Sequence, residues 1–477
     1  MSILEATIST IFAIIRILGI WFAIRAILIS RTPQSAIGWS LALLTIPEIA
    51  IPLFLVFGQS RFSGYLVAAR GSSGELGVEL HGMQAALEPH KANFGPMGES
   101  AASVAFKLSG LPATNGNHVS LLIDGDQTFQ AIFKAIDEAE AFIIIQFFII
   151  RDDAIGKDLL DHLRKALDRG VRVWFLYDGV GSKSLPLSYI QSLKEAGAEV
   201  AGFITNRKIG TRFQLNFRNH RKLVLVDGAV AFLGGLNVGD EYLGRSERFG
   251  PWRDTHIRIE GPAVQSLQLP FVEDWNYATG NVLHLPRHAQ VSSQGNTSIF
   301  ILASGPASRL HIPLAVLMEI IYRTKKRLWL ASPYFVPDSA FRAALKHAAL
   351  RGVDVRILLP QNPDHLLPFL SSYSFYPGMR NAGVKIYRYQ PGFMHQKVIL
   401  ADEEIAIVGS LNLDYRSFML NFELSAGVED PQFIKEIEAM FLHDFEKSHE
   451  EDLGIYDSGS LWFRLKVRLA ALLSPEQ

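Results

Sequence analysis

His220-Arg-Lys222-Leu-Val-Leu-Val-Asp227-Gly-Ala-Val-Ala-Phe-Leu-Gly234-Gly-Leu-Asn237 decides how this chain is read, because it occurs twice. Laid without a gap over His395-Gln-Lys397-Val-Ile-Leu-Ala-Asp402-Glu-Glu-Ile-Ala-Ile-Val-Gly409-Ser-Leu-Asn412, it is identical at eight of eighteen positions, the His, Lys, Asp, Gly and Asn among them. One His-x-Lys-x4-Asp match alone would be a modest hypothesis. Two, in register with a wider duplication, are not accidental. Arg169-Gly-Val-Arg-Val173 and Arg351-Gly-Val-Asp-Val355 mark the same place in each half. The spacing is far too long for a solenoid repeat, so it predicts two domains of one fold.

Working outward, short apolar runs alternate with helical patterns. Strands are expected at 119–124, 142–150 and 171–177, with helices at 128–140, 159–168 and 189–196. The pattern restarts with strands at 299–302, 328–331, 353–359 and 384–389 and helices at 312–323 and 341–350. This alternation predicts an α/β fold: two pseudo-symmetric domains, 119–290 and 291–450, each a mixed sheet flanked by helices.

Side chains alternate along a strand, so His220 and Lys222 point the same way, as do His395 and Lys397. Asp227 and Asp402 have the opposite parity and fall at the turn into a return strand, where holding the fold or orienting the Lys and His suits them. Asn237 and Asn412 follow on the loop beyond. Two facing half-sites offer paired histidines, lysines and amides, a pocket for a tetrahedral anion such as phosphate. Fixed positive charge of this kind does the work of a divalent cation, and lysine beside histidine repels a metal, so no metal or other cofactor is expected. Two histidines allow a nucleophile and an acid/base. A nucleophilic imidazole needs its second nitrogen held by an acceptor, and Asp254 and Glu423 follow the motifs at similar distances.

The chain has 477 residues, enough for two or three domains. Its 46 basic and 47 acidic residues nearly cancel, against a nucleic-acid-binding surface. With no cysteine there is no disulfide, thiolate site or cysteine nucleophile. Mean hydropathy is nonetheless positive, +0.16. The excess is local: residues 8–29 and 36–57 are apolar runs, each long enough to cross a bilayer at about 1.5 Å per helical residue. A signal peptide is not followed at once by a second such run, and buried core helices are the remaining alternative. Residues 1–59 are therefore expected to form a membrane hairpin. Arg16 costs roughly 2.5–3.5 kcal/mol in mid-span, which predicts tilting, snorkelling or an interfacial position. Pro47, Glu48 and Pro52 predict a kinked or re-entrant second segment. Arg61 and Arg70 follow the pair and only Arg31 lies in its turn, which places the body on the cytoplasmic side.

Residues 60–118, rich in Gly, Ser, Ala and Pro, read as a linker with some helix. Residues 451–477 read as a tail. Within it 461–473 is either an amphipathic helix lying on a membrane or a helix docked on the body; its basic residues, at 464, 466 and 468, smear the polar face and favour docking. Arg207, Lys208, Arg212, Arg218 and Arg221 are either a solvated loop or a basic rim for anionic headgroups. Asp178-Gly-Val-Gly-Ser182 lacks the lysine of a nucleotide loop and reads as a turn near the pocket.

At these residues the sequence resembles the phospholipase D superfamily, marked by the doubled His-x-Lys-x4-Asp, and within it the bacterial cardiolipin synthases. Arg218–Lys222, Gly234–Gly244, Trp252–Ala263, Phe271–Trp275, Pro333–Pro337, Gly392–Lys397 and Gly409–Glu423 carry the likeness, which covers essentially the whole chain. It implies phosphatidyl transfer between two phosphatidylglycerol molecules with release of glycerol, His220 as nucleophile and His395 as acid/base. It also implies the bacterial inner membrane and anionic membrane lipids as partners. A phospholipase D-type hydrolase and a non-catalytic membrane scaffold are the alternatives; oligomeric state, homodimer or otherwise, has no signature in the residues.

Overall fold

Phe142–Phe147, Leu223–Val226 and Val398–Ala401 are apolar runs without polar alternation, and every residue in them is buried. Such strands need cover on both faces. The computed structural model describes residues 3–30, 32–58, 62, 65, 73–205, 216–285, 293–308 and 310–474. The chain divides into two units, Met1–Val67 with Thr205–Phe217, and Ala68–Ile204 with Arg218–Gln477.

The larger unit is built on one sixteen-stranded sheet. From one edge inward the first half contributes Glu199–Phe203, Arg172–Asp178, Phe142–Phe147, Leu223–Val226, Val230–Gly234, Thr255–Glu260 and Thr114–Ile123. The second half runs back outward in matching order: Thr297–Ser304, Asn421–Glu429, Ile405–Gly409, Val398–Ala401, Arg327–Ala331, Asp354–Pro360 and Lys385–Tyr389, with Ser448–Glu450 added at the edge; Arg218–Asn219, paired with Asn421–Glu429 off this path, is the sixteenth. The outer three strands of each series are parallel and the inner ones antiparallel. At the seam Thr114–Ile123 pairs antiparallel with Thr297–Ser304, joining the two α/β halves through a continuous sheet.

The duplicated Arg-Gly-Val is a helix stop. Helix Ala154–Asp168 buries Ile155, Leu159, Leu163 and Ala166, and helix Ser339–Leu350 buries Phe341, Ala344, Leu345 and Ala348, both at helical spacing. Each is capped by an Asp (Asp153, Asp338) and ends before a glycine at positive φ, Gly170 at 88° and Gly352 at 92°. The following valine amide returns to Ala166 or Ala348, closing the last turn.

Two expectations change here. Helices Ser73–Leu87 and Pro96–Ser109 occupy much of the expected linker and pack on helices Ala263–Thr279 and Ile312–Arg323. Gly98, Ala101, Ala102 and Ala105 are buried, so the small residues serve close packing; a Cβ at Gly98 would lie 2.4 Å from Glu429 Oε2. In the smaller unit, helix Ile3–Ile29 is followed by two short helices, Pro33–Thr45 and Pro47–Phe57. The second apolar run breaks at Ile46 (φ −132°, ψ 58°) because the residue before a proline avoids helical angles. Neither short piece reaches across about 30 Å of hydrocarbon, whereas Thr7–Ile29 is long and apolar enough to cross a membrane. Arg16 donates to Leu44 O and Thr45 O, 3.2 Å each, and lies 3.9 Å from Glu48, so its charge meets a helix C-terminus and a carboxylate. Phe22, Ala23, Ala26, Leu43, Ala50 and Phe54 form this unit's core. Arg31, Arg61 and Arg70, on which the orientation rests, lie outside the described residues.

Candidate active site

Each His-x-Lys is an extended crossing between two ladders. Arg218–Asn219 pairs with Asn421–Phe422 of the other half, and the His220 amide donates to Phe422 O at 2.9 Å. Symmetrically, Phe393–Met394 pairs with Trp252–Arg253, and the His395 amide donates to Arg253 O at 2.8 Å. Each histidine is thus strapped to the opposite half.

The carboxylates follow the same exchange. His220 Nδ1 lies 2.9 and 3.1 Å from the Glu423 oxygens, and His395 Nδ1 lies 2.8 Å from Asp254 Oδ2. Asp254 comes after the first motif yet holds the second histidine; Glu423 comes after the second and holds the first. With Nδ1 engaged, Nε2 is the nitrogen left to react. Burial pushes both imidazoles down, His395 to about 4 with Lys397 adding to the effect, while the facing carboxylate pulls each the other way. Burial alone would raise the two carboxyls, but the facing His and Lys hold both below the usual range.

Lys222 Nζ donates to His220 O at 2.8 Å, and Lys397 Nζ donates to His395 O. Burial pushes Lys222 down to about 7, with Lys397 adding to the effect, and Lys397 to about 8; both lysines also lower His220. An anion arriving between them would favour their charged forms.

The other expected residues divide. Asp227 and Asp402 are not at the histidines. Both stand at positive φ, 53° and 51°, in hairpin turns. Asp227 accepts from the amides of Glu140, Ala141 and Phe142, and Asp402 from those of Lys325, Lys326 and Arg327, at 2.7–2.9 Å. They fix the start of the central strand in each half, a fold-holding role, and not a catalytic one. Asn237 is buried, donating to Tyr242 Oη at 3.0 Å and accepting from the Ile149 amide at 3.2 Å. Asn412 lines a cavity of about 590 Å³ with His220, Phe148, Arg218, Asp414, Arg416 and Asn421. Burial raises Asp414 to about 6.

Arg221 is no rim residue: it is buried and bonded to Asp274 at 2.8 Å. Arg207, Lys208 and Arg212 lie outside the described residues. The Asp178 carboxylate accepts from the amides of Val180, Gly181 and Asn219, which makes 178–182 a turn that steadies the first motif. Among the described residues no three His, Cys, Asp or Glu side chains form a metal-ion cluster.

Sequence reasoning missed two sets of residues. Ser410, Ser417 and Asn421 all donate to Glu423, at 2.5, 2.8 and 3.2 Å. Asp274 receives Arg221, Asn219 and Gln146, while Asp444 receives Gln396 and, bidentately, Arg253. The signal for the second set was present: Phe271-x-x-Asp274-Trp and Phe441-x-x-Asp444-Phe repeat at matching places in the halves.

A family model described as "Cardiolipin synthase, PLD-like domain" matches residues 132–251 and 317–445. Cardiolipin synthase A of Pseudomonas putida (strain W619) is 43% identical over 470 residues, 98% of this chain and 97% of the relative. Cardiolipin synthase A of Pseudomonas aeruginosa (strain UCBPP-PA14) is 43% identical over 467 residues, covering 97% and 94%. The crystal structure of phosphatidylserine synthase from Haemophilus influenzae Rd KW20 superposes with a TM-score of 0.62 at 15% identity, covering 79% of this chain and all of that one, which shows a shared fold. With both halves matched by one family model and relatives alike from end to end, the chain belongs to the cardiolipin synthase family of phospholipase D-like proteins.

Proposed function

We propose that the chain transfers a phosphatidyl group from one phosphatidylglycerol to the glycerol hydroxyl of a second, through a phosphohistidine on His220. The observation that carries this reading is the crossed clamp: each imidazole is fixed through Nδ1 by the other half's carboxylate and set beside a buried lysine. His220 Nε2 attacks phosphorus and the bond to the glycerol oxygen breaks. His395 enters the step protonated on Nε2, with the bound phosphate anion favouring the imidazolium, and gives that proton to the departing glycerol. The second phosphatidylglycerol then gives its hydroxyl proton to His395 as its oxygen attacks phosphorus and the P–N bond breaks. Lys222 and Lys397 balance the charge gathering on the phosphoryl oxygens. His220 lines the cavity, which supports it as the nucleophile, and Glu423, held by three further donors, keeps its ring from rotating. In this reading helix Thr7–Ile29 anchors the enzyme in the bacterial inner membrane, with the body on the cytoplasmic side.

A product assay on phosphatidylglycerol vesicles tests the reaction. Cardiolipin and glycerol should appear in equal amounts. Phosphatidic acid without cardiolipin would make the chain a hydrolase, and turnover untouched by His220→Ala and His395→Ala would make it a scaffold.

A further inference from the structure

We infer that helix Leu461–Leu472 lies on the surface of a bilayer containing anionic lipid and sets the mouth of the His220 cavity against it. The inference goes beyond the reaction itself and would hold for any phospholipid chemistry at His220.

The helix has two apolar faces. Val467 and Ala470 are buried, Phe463 meets Tyr373 at 5.6 Å between ring centres, and this face packs on helix Leu366–Tyr373. The other face is bare. Leu461 is 81% exposed, Trp462 63%, Leu469 53% and Leu472 75%. At about 100° per residue, Leu461, Leu472, Leu465, Leu469, Trp462 and Leu473 fall in that angular order within one arc of roughly 120°, wide enough for a membrane-facing stripe. Lys466 sits just beyond one margin of the arc, and Arg468 and Arg464 just beyond the other. The basic residues that looked scattered along the sequence therefore border a continuous apolar strip. All three are exposed, and the helix carries no acidic residue.

Three features select a lipid surface as the occupant. The charge around the strip is wholly positive, complementary to anionic headgroups, and a large aromatic at the margin suits the headgroup depth. The lysine ammonium lies 5.6 Å over the Trp462 ring, a pairing that keeps both at the boundary between water and hydrocarbon. The helix is also tied to the cavity: helix Leu366–Tyr373, on which its buried face packs, contributes Leu366, Leu367 and Pro368 to the cavity wall, and the two leucines are themselves 64% and 47% exposed. A phospholipid whose headgroup enters toward His220 would then keep its acyl chains among apolar side chains.

The absence of cysteine makes the test direct. Leu469→Cys in the full chain, labelled with an environment-sensitive fluorophore, is reconstituted in phosphatidylglycerol vesicles carrying acyl-chain spin labels. Lys134→Cys, at a side chain 75% exposed on a polar helix, is the reference. We expect several-fold quenching and a blue shift at 469 and neither at 134. Equal, water-like behaviour at both positions overturns the inference. Disulfide formation between two copies of the unlabelled Leu469→Cys chain, with no quenching in the labelled one, assigns the face to a second copy and also overturns it. Leu465→Asp with Leu469→Asp should lower turnover on vesicles several-fold while leaving turnover of monomeric short-chain phosphatidylglycerol unchanged; equal loss on both substrates would contradict a docking role. The quenching measurement does not depend on which product is made.

Discussion

Glu423 receives Ser410, Ser417 and Asn421 besides His220, whereas Asp254 receives the Thr255 amide and the Trp252 indole, at 2.8 and 3.4 Å, besides His395. The residue between His and Lys differs as well: Arg221 brings a full charge to Asp274, while Gln396 brings an amide to Asp444, whose charge is met by Arg253. One motif in one fold therefore sits in two electrostatic settings. The more densely bonded histidine faces the cavity and suits attack on phosphorus; the other, with fewer bonds on its carboxylate, suits proton transfer. Duplication supplies the symmetry, and the crossing means that each half's histidine takes its carboxylate from the other half.

The comparison breaks most visibly at the histidines. His220→Ala should lower turnover by about 10⁴-fold or more, the scale for losing a nucleophile. His395→Ala should cost about 10²–10⁴-fold, and a donor with an acidic phenol as leaving group should restore much of it, because such a group departs without a proton. Rescue of His220→Ala by the same donor would exchange the roles. Glu423→Gln and Asp254→Asn leave each ring a neutral partner and the wrong tautomer, with losses up to about 10⁴-fold. Both should slow formation of the adduct, and Asp254→Asn should also slow the step in which the second phosphatidylglycerol takes the group, which rapid quench reads separately.

Smaller effects concern folding. Arg221→Gln copies the second half's residue into the first and strips a buried carboxylate of its charged partner, for roughly 3 kcal/mol by urea denaturation. The reciprocal site is already balanced by Arg253, so Gln396→Ala should cost less. Asp227→Asn and Asp402→Asn each weaken three charge-assisted amide bonds, about 1–3 kcal/mol in stability. The kcat of the folded fraction should stay the same, since neither carboxylate touches a histidine; a matching loss of kcat would return them to the reaction.

Much of this was legible in the residues. Helix 312–323 is read to the residue, and the doubled motif announced two pseudo-symmetric halves, because apolar runs and Arg-Gly-Val stops are local signals. Asp254 and Glu423 were found as acceptors, but their exchange was not, since it depends on the ladders at Trp252–Arg253 and Asn421–Phe422, which are contacts distant in sequence. Small residues at 95–105 looked like a linker for the same reason: tight packing and loose chain use similar composition. The amphipathic character of 461–473 is legible in its residues, but which face packs on the body is not, since Val467, Ala470 and Phe463 meet a helix distant in sequence.

The account rests on His220 carrying the phosphatidyl group, and trapping that adduct is its most direct test. Enzyme mixed with phosphatidylglycerol labelled in its phosphate, quenched and digested under alkaline conditions that preserve phosphohistidine, should yield label on the peptide containing His220. Label on the His395 peptide, or turnover with no label on either, would contradict the mechanism.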